Sequence, residues 1–136
     1  MLLAKDLMTV DPEFVLMETP LREIIALMNR CDCRQLPVLE GDQVVGIITD
    51  RDVRLAINSP VLNDEPLKRL FVLDEVKAVD CMTRDPLNIK RDTPIYEIAG
   101  ILARHKFGAL LVMDRGNLEG IITVTDLLNQ MALKPE

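Results

Sequence analysis

The chain carries one pattern twice. Asp6-Leu7-Met8-Thr9-Val10-Asp11-Pro12 returns as Asp80-Cys81-Met82-Thr83-Arg84-Asp85-Pro86, an offset of 74 from Asp6 to Asp80. The same offset carries Thr19-Pro20 onto Thr93-Pro94, Glu23-Ile24 onto Glu97-Ile98, Arg30 onto Arg104, and Leu36 and Val38 onto Leu110 and Val112. It also carries Gly46-Ile47-Ile48-Thr49 onto Gly120-Ile121-Ile122-Thr123, and Asp52 onto Asp126. Between Ala4 and Asp52, 18 of 49 positions are identical without a gap, where chance gives roughly one in fifteen. A period of this length means two copies of one structural unit.

Within a copy, a short opening segment ends at Asp-Pro and leads to a brief strand near Val15-Leu16 or Asn88-Ile89. Thr19-Pro20 and Thr93-Pro94 read as helix starts, with Thr as N-cap and Pro at the first helical position. Leu21, Ile24, Ile25 and Met28 follow at helical spacing, as do Ile95, Ile98, Ala99 and Leu102. Two apolar runs around Glu40-Gly41-Asp42-Gln43, and two around Asp114-Arg115-Gly116-Asn117, signal hairpins. A second helix opens after Thr49 or Thr123, so the unit reads β-α-β-β-α.

The expected boundaries are 1–58 for the first copy, 59–77 for a linker, and 78–136 for the second copy. Pro60 and Pro66 break the linker, and Leu67 to Leu73 reads as a short amphipathic helix. A unit of about fifty residues is marginal alone. The expectation is therefore a mixed α+β (α/β) architecture, two pseudo-symmetric units packed through their sheets into one module. With aromatics at 3 % and no Trp, the core must be aliphatic.

Charge narrows the partners. The net charge is -6 and no Lys/Arg run occurs, which argues against nucleic acid and anionic membrane. No apolar run approaches the ~18 residues of a membrane span, and the N-terminus lacks a signal-peptide pattern, so a cytoplasmic location is expected. Cys31, Cys33 and Cys81 then read as reduced thiols. Cys31-Asp32-Cys33 supplies too few ligands for a structural zinc site, and no metal is expected.

A catalytic set is not readable. His105 ends a helix beside Arg104 and Lys106 with no nucleophile motif nearby, and suits a contact with the helix dipole. Gly46 and Gly120 stand outside any phosphate-loop pattern. No enzyme is expected.

What recurs is Gly-Ile-Ile-Thr-x-x-Asp, at Gly46 to Asp52 and Gly120 to Asp126. Thr three residues before an acid at a strand-to-helix junction is a capping box. The same geometry lets the carboxylate grip a ribose diol while the hydroxyl and free helix N–H groups meet a phosphate. Spacing does not separate the two roles.

Taken in order, Asp-x-Met-Thr-x-Asp-Pro, Thr-Pro with its apolar helix, Leu-Pro-Val and Gly-Ile-Ile-Thr-Asp-Arg-Asp resemble the CBS (cystathionine-β-synthase) domain over about residues 4 to 132. A tandem pair of these is often called a Bateman module. The resemblance implies two related clefts between the copies that bind adenosine derivatives such as AMP, ADP, ATP, S-adenosylmethionine or NAD(H). It assigns ribose and phosphate to Thr49 and Asp52 at one site and to Thr123 and Asp126 at the other. The base would lie near Leu36, Pro37 and Ile47, or near Ala109, Leu110 and Ile121, with the Thr9 or Thr83 segment nearby. Arg51 has no counterpart in the second copy and suits a phosphate contact.

The resemblance further implies a regulatory module needing no cofactor beyond its regulatory ligand. It would act on an enzyme or transporter in trans, and it would form a homodimer through exposed helix faces. Two other readings stand beside it: a scaffold with empty clefts, and a thiol or metal sensor through Cys31 and Cys33.

Overall fold

The computed structural model describes residues 1–58 and 66–133. Pro60, one of the two linker breakers, lies outside the described residues. In chain order the elements are α1 (Ala4–Leu7), β1 (Thr9–Val10), β2 (Val15–Leu16), α2 (Leu21–Cys31), β3 (Gln35–Glu40), β4 (Gln43–Thr49) and α3 (Asp50–Ile57). The linker helix α4 (Pro66–Glu75) follows. The pattern then repeats as α5 (Ala78–Cys81), β5 (Thr83–Arg84), β6 (Asn88–Ile89), α6 (Ile95–His105), β7 (Ala109–Asp114), β8 (Asn117–Thr123) and α7 (Val124–Met131).

The strands form two four-stranded sheets, ordered β2-β3-β4-β5 and β1-β8-β7-β6. Both expected hairpins form, β3 with β4 and β7 with β8. β2 and β6 join them in parallel. Antiparallel pairing of β5 on β4 and of β1 on β8 completes each sheet.

The compact units are therefore not the repeats. One is continuous, Glu13–Asp85; the other is split, Met1–Pro12 with Pro86–Glu136. Each sheet takes its last strand from the opening segment of the other repeat. A backbone clasp secures the exchange. In the split unit the N–H groups of Ala4, Lys5 and Ile95 donate to the carbonyls of Thr93, Arg91 and Leu2 at 2.8, 2.9 and 3.0 Å. In the continuous unit Ala78, Val79 and Leu21 donate to Thr19, Met17 and Val76 at 2.9, 3.0 and 3.0 Å.

Asp6 and Asp80, the acids that open the duplicated motif, start the short helices. Their Oδ2 atoms accept from the N–H of Leu3 and Lys77 at 2.8 and 2.9 Å.

Each unit has its own aliphatic core. Leu21, Ile24, Leu36, Val38 and Ile48 fill the continuous unit; Ile98, Leu102, Leu110, Val112 and Ile122 fill the split one. Full burial of such a side chain is worth about 1.5–3 kcal/mol. Leu21, Ile24 and Met28 hold α2 on its sheet and Ile98 and Leu102 hold α6, with Ile25 and Ile95 partly buried beside them. Ala99, expected on the same face, is instead exposed. Helix α4 belongs to the continuous unit. Val72 is buried in that core, and the Arg22 Nε donates to Asp74 Oδ1 at 2.7 Å.

Two local expectations are corrected. Thr19 and Thr93 do not cap helices: the N-cap positions are Pro20 and Pro94. The hydroxyls instead close the preceding turns, accepting from the N–H of Leu16 at 3.0 Å and of Lys90 at 3.1 Å. Proline φ suits either position, so Thr-Pro alone does not say which residue begins the helix.

Cys31 and Cys33 are joined as a disulfide rather than held as free thiols, and Cys81 is free. The pair brackets Asp32, whose left-handed backbone (φ 53°) ends α2. The equivalent turn in the other repeat, around Lys106 (φ 57°), is bracketed by His105 and Phe107, whose rings stack with centroids 5.7 Å apart.

Among the described residues no helix is long and apolar enough to cross a membrane.

Candidate functional site

Helix α3 begins where β4 ends. Thr49 is its N-cap, with Oγ1 accepting from the Asp52 N–H at 3.1 Å, while Asp52 Oδ2 accepts from the Thr49 N–H at 2.9 Å. Helix α7 repeats the arrangement with Thr123 and Asp126, at 3.2 and 2.8 Å. Both capping boxes are complete, which satisfies two orphan donors per helix start.

The box leaves specific valences open. The first helical N–H, that of Asp50 or Val124, donates to the Arg34 carbonyl at 2.9 Å or the Gly108 carbonyl at 3.1 Å. The third is taken by the Thr hydroxyl. Between them, among the described residues, the N–H groups of Arg51 and Thr125 have no acceptor. Each half-buried carboxylate also keeps Oδ1 as a second acceptor. One N–H donor and one carboxylate oxygen at a helix N-terminus can hold an anion and a hydroxyl respectively.

The neighbouring sheet face is set by strand pairing. Pro37 lies across from Ile47, and Ile47 across from Thr83. In the split unit Leu111 lies across from Ile121, and Ile121 across from Thr9. So Thr83 joins the Thr49–Asp52 end and Thr9 joins the Thr123–Asp126 end. Each arrangement draws on both repeats.

Alternation along the strands puts Leu36 and Leu110 on the opposite face. Both are buried in the cores, at 1 % and 0 % exposure, and they offer this face only backbone. Ala109 pairs with Thr123 at the end of the strand and is buried. Leu111 is the counterpart of Pro37 at the offset of 74, and both side chains are fully buried. Arg51 is exposed on the first turn of α3.

Cys81 is a neighbour the sequence did not suggest. Burial pushes its thiol up to about 11, with the charges of Asp80 and Asp52 adding to the effect. It is therefore a protonated, inert thiol near the acid of the continuous unit.

Gly46 and Gly120 acquire a role at the same place. A β-carbon on either would stand 2.8 Å from a backbone carbonyl oxygen, that of Thr83 or Thr9. Glycine here is the condition for the exchanged Met-Thr segment to lie against the sheet, not part of a phosphate loop.

Comparison with known proteins bears on the same residues. The family model of the CBS domain matches residues 4–59 and again 76–133. The chain belongs to the CBS domain family. A CBS domain-containing protein of Dictyostelium discoideum is 35 % identical over 130 residues, covering 94 % of this chain and 86 % of that one. The inosine-5'-monophosphate dehydrogenase of Korarchaeum cryptofilum is 32 % identical over 124 residues, covering 90 % of this chain and 22 % of the enzyme.

Among solved structures, CBSX2 in complex with AMP matches with a TM-score of 0.74 and 27 % identity, over 95 % of both chains. Protein MJ1225 of Methanocaldococcus jannaschii matches with a TM-score of 0.83 and 29 % identity, over 96 % of this chain and 48 % of that one.

Proposed function

We propose that this CBS pair binds adenosine-containing ligands at the starts of α3 and α7 and passes their occupancy to a partner protein, without catalysing a reaction itself. Asp52 and Asp126 accept from the ribose diol through Oδ1. The unpaired N–H of Arg51 or Thr125 receives a phosphate oxygen, and the base lies beside Ile47 and Thr83, or beside Ile121 and Thr9. The observation that carries the reading is the open donor and acceptor that both capping boxes retain. The AMP complex of a relative at 27 % identity supports it. The partner is an enzyme or transporter in trans, and the working form is a homodimer.

Arg51 makes the two sites unequal. Its guanidinium adds a fork for a second phosphate, so the site on α3 takes the more highly charged nucleotide.

A scaffold with empty clefts is the competing reading, and one observation favours it: each Thr hydroxyl and one oxygen of each acid are already used within the fold. Calorimetric titration of AMP separates the two. Binding that disappears in the Asp52→Ala/Asp126→Ala protein, with the fold retained, supports the sensor. Undiminished binding in that variant, or none in the wild-type protein by AMP, ATP, S-adenosylmethionine or NAD(H), overturns it.

A further inference from the structure

The split unit holds a concavity at the end of its sheet away from Thr123 and Asp126. It has a volume of about 490 Å³ and is lined by Lys5, Lys90, Arg91, Asp92, Met113, Asp114 and Arg115. Three separate segments meet there: helix α1, the loop between β6 and α6, and the β7–β8 turn. The clasp from the Lys5 N–H to the Arg91 carbonyl at 2.9 Å holds the first two together. Thr123 lies at the far end of β8, whose seven residues span roughly 20 Å, so this concavity is distinct from the capped helix start.

We propose that this concavity binds a small polyanion carrying two or more phosphate groups. Four cations and two carboxylates give the lining a net charge of +2 (four minus two) in a chain whose net charge is -6. Among the described residues, none of the four cations is within salt-bridge distance of a carboxylate. Unpaired like charges gathered around one hollow are repulsive until an anion enters. The volume suits a small molecule, and Met113 as the single apolar side chain leaves little for a peptide to bury.

The repeat supplies an internal control. At the offset of 74 the four cations correspond to Val79, Leu16, Met17 and Gly41, while Asp92 and Asp114 correspond to Glu18 and Glu40. The clasp is the same in both units, Val79 donating to Met17 as Lys5 donates to Arg91. The fold thus needs the clasp and tolerates the acids, but it does not need the cations. Arg115 even occupies a left-handed backbone position (φ 52°) that the other repeat gives to Gly41 (φ 60°), a placement that costs a non-glycine residue.

The test is an amide-resolved NMR titration of the full chain with inorganic tripolyphosphate, with adenosine in a separate arm. The Arg91→Met/Arg115→Gly variant uses residues that the other repeat already accommodates, so the fold should persist. Saturable shifts at Lys5, Lys90 to Asp92 and Met113 to Gly116, with affinity reduced about tenfold in the variant, support the site. Shifts that are absent, that fall on Thr123 to Asp126 instead, or that keep full affinity in the variant overturn it. Adenosine carries no phosphate, so its arm reports on the nucleotide reading independently.

Discussion

The Thr9 carbonyl oxygen closes on Gly120 so tightly that a β-carbon there would stand 2.8 Å away. Met8 crowds the same point, with its sulfur 2.7 Å from that position. A thioether can rotate aside, but a backbone carbonyl held in strand pairing cannot. Gly120→Ala should therefore destabilise the split unit by about 1–3 kcal/mol, and Gly46→Ala the continuous one equally, read as a shifted denaturation midpoint. An unchanged midpoint would mean that the exchanged segment is not held as described.

Capping and ligand binding can be separated by their sizes. Thr123→Ala removes the hydroxyl from the Asp126 N–H and should cost about 1 kcal/mol of stability. Asp126→Ala should cost a similar amount and also abolish AMP binding at α7. Equal losses of affinity from both substitutions would argue that the helix start matters to the ligand only as a whole.

Arg51 gives a charge-selective prediction. Arg51→Ala should weaken ATP binding by about tenfold, the loss of one charge-assisted contact, while AMP changes less. Calorimetry with both nucleotides decides it, and equal effects would remove Arg51 from the phosphate site.

The thiol of Cys81 should be slow to react. With its value pushed up to about 11 from an ordinary 9.0, native protein at pH 8 carries about a hundredfold less thiolate than free cysteine, and iodoacetamide labelling should slow in proportion. The sign for stability follows. The fold favours the protonated thiol, so this contribution is present below pH 9 and is lost as pH rises from 9 to 11. Denatured, unreduced protein should accept one label; three labels would mean that Cys31 and Cys33 are not joined.

The duplication, both hairpins and both late helices were legible because period-2 runs, turn residues and the Thr-x-x-Asp spacing are local signals. The exchange of opening segments was not. Met8-Thr9 and Met82-Thr83 are identical, and either could pair with either sheet edge, so nothing local assigns Thr9 to Ile121 and Thr83 to Ile47. The basic hollow was hidden for another reason: Lys5, Arg91 and Arg115 lie far apart in sequence, and a search for Lys/Arg runs passes over them. Thr19 and Thr93 misled because a hydroxyl before proline serves a turn as readily as a helix.

The exchanged strands bear on how such a protein can be taken apart. A peptide holding only one repeat would leave β4 or β8 with a bare hydrogen-bonding edge and an unused Met-Thr arm. Two such peptides could complete each other only by trading arms. Cutting the chain between its halves should therefore yield fragments that either fail to fold or recombine as partners, never two independently folded units.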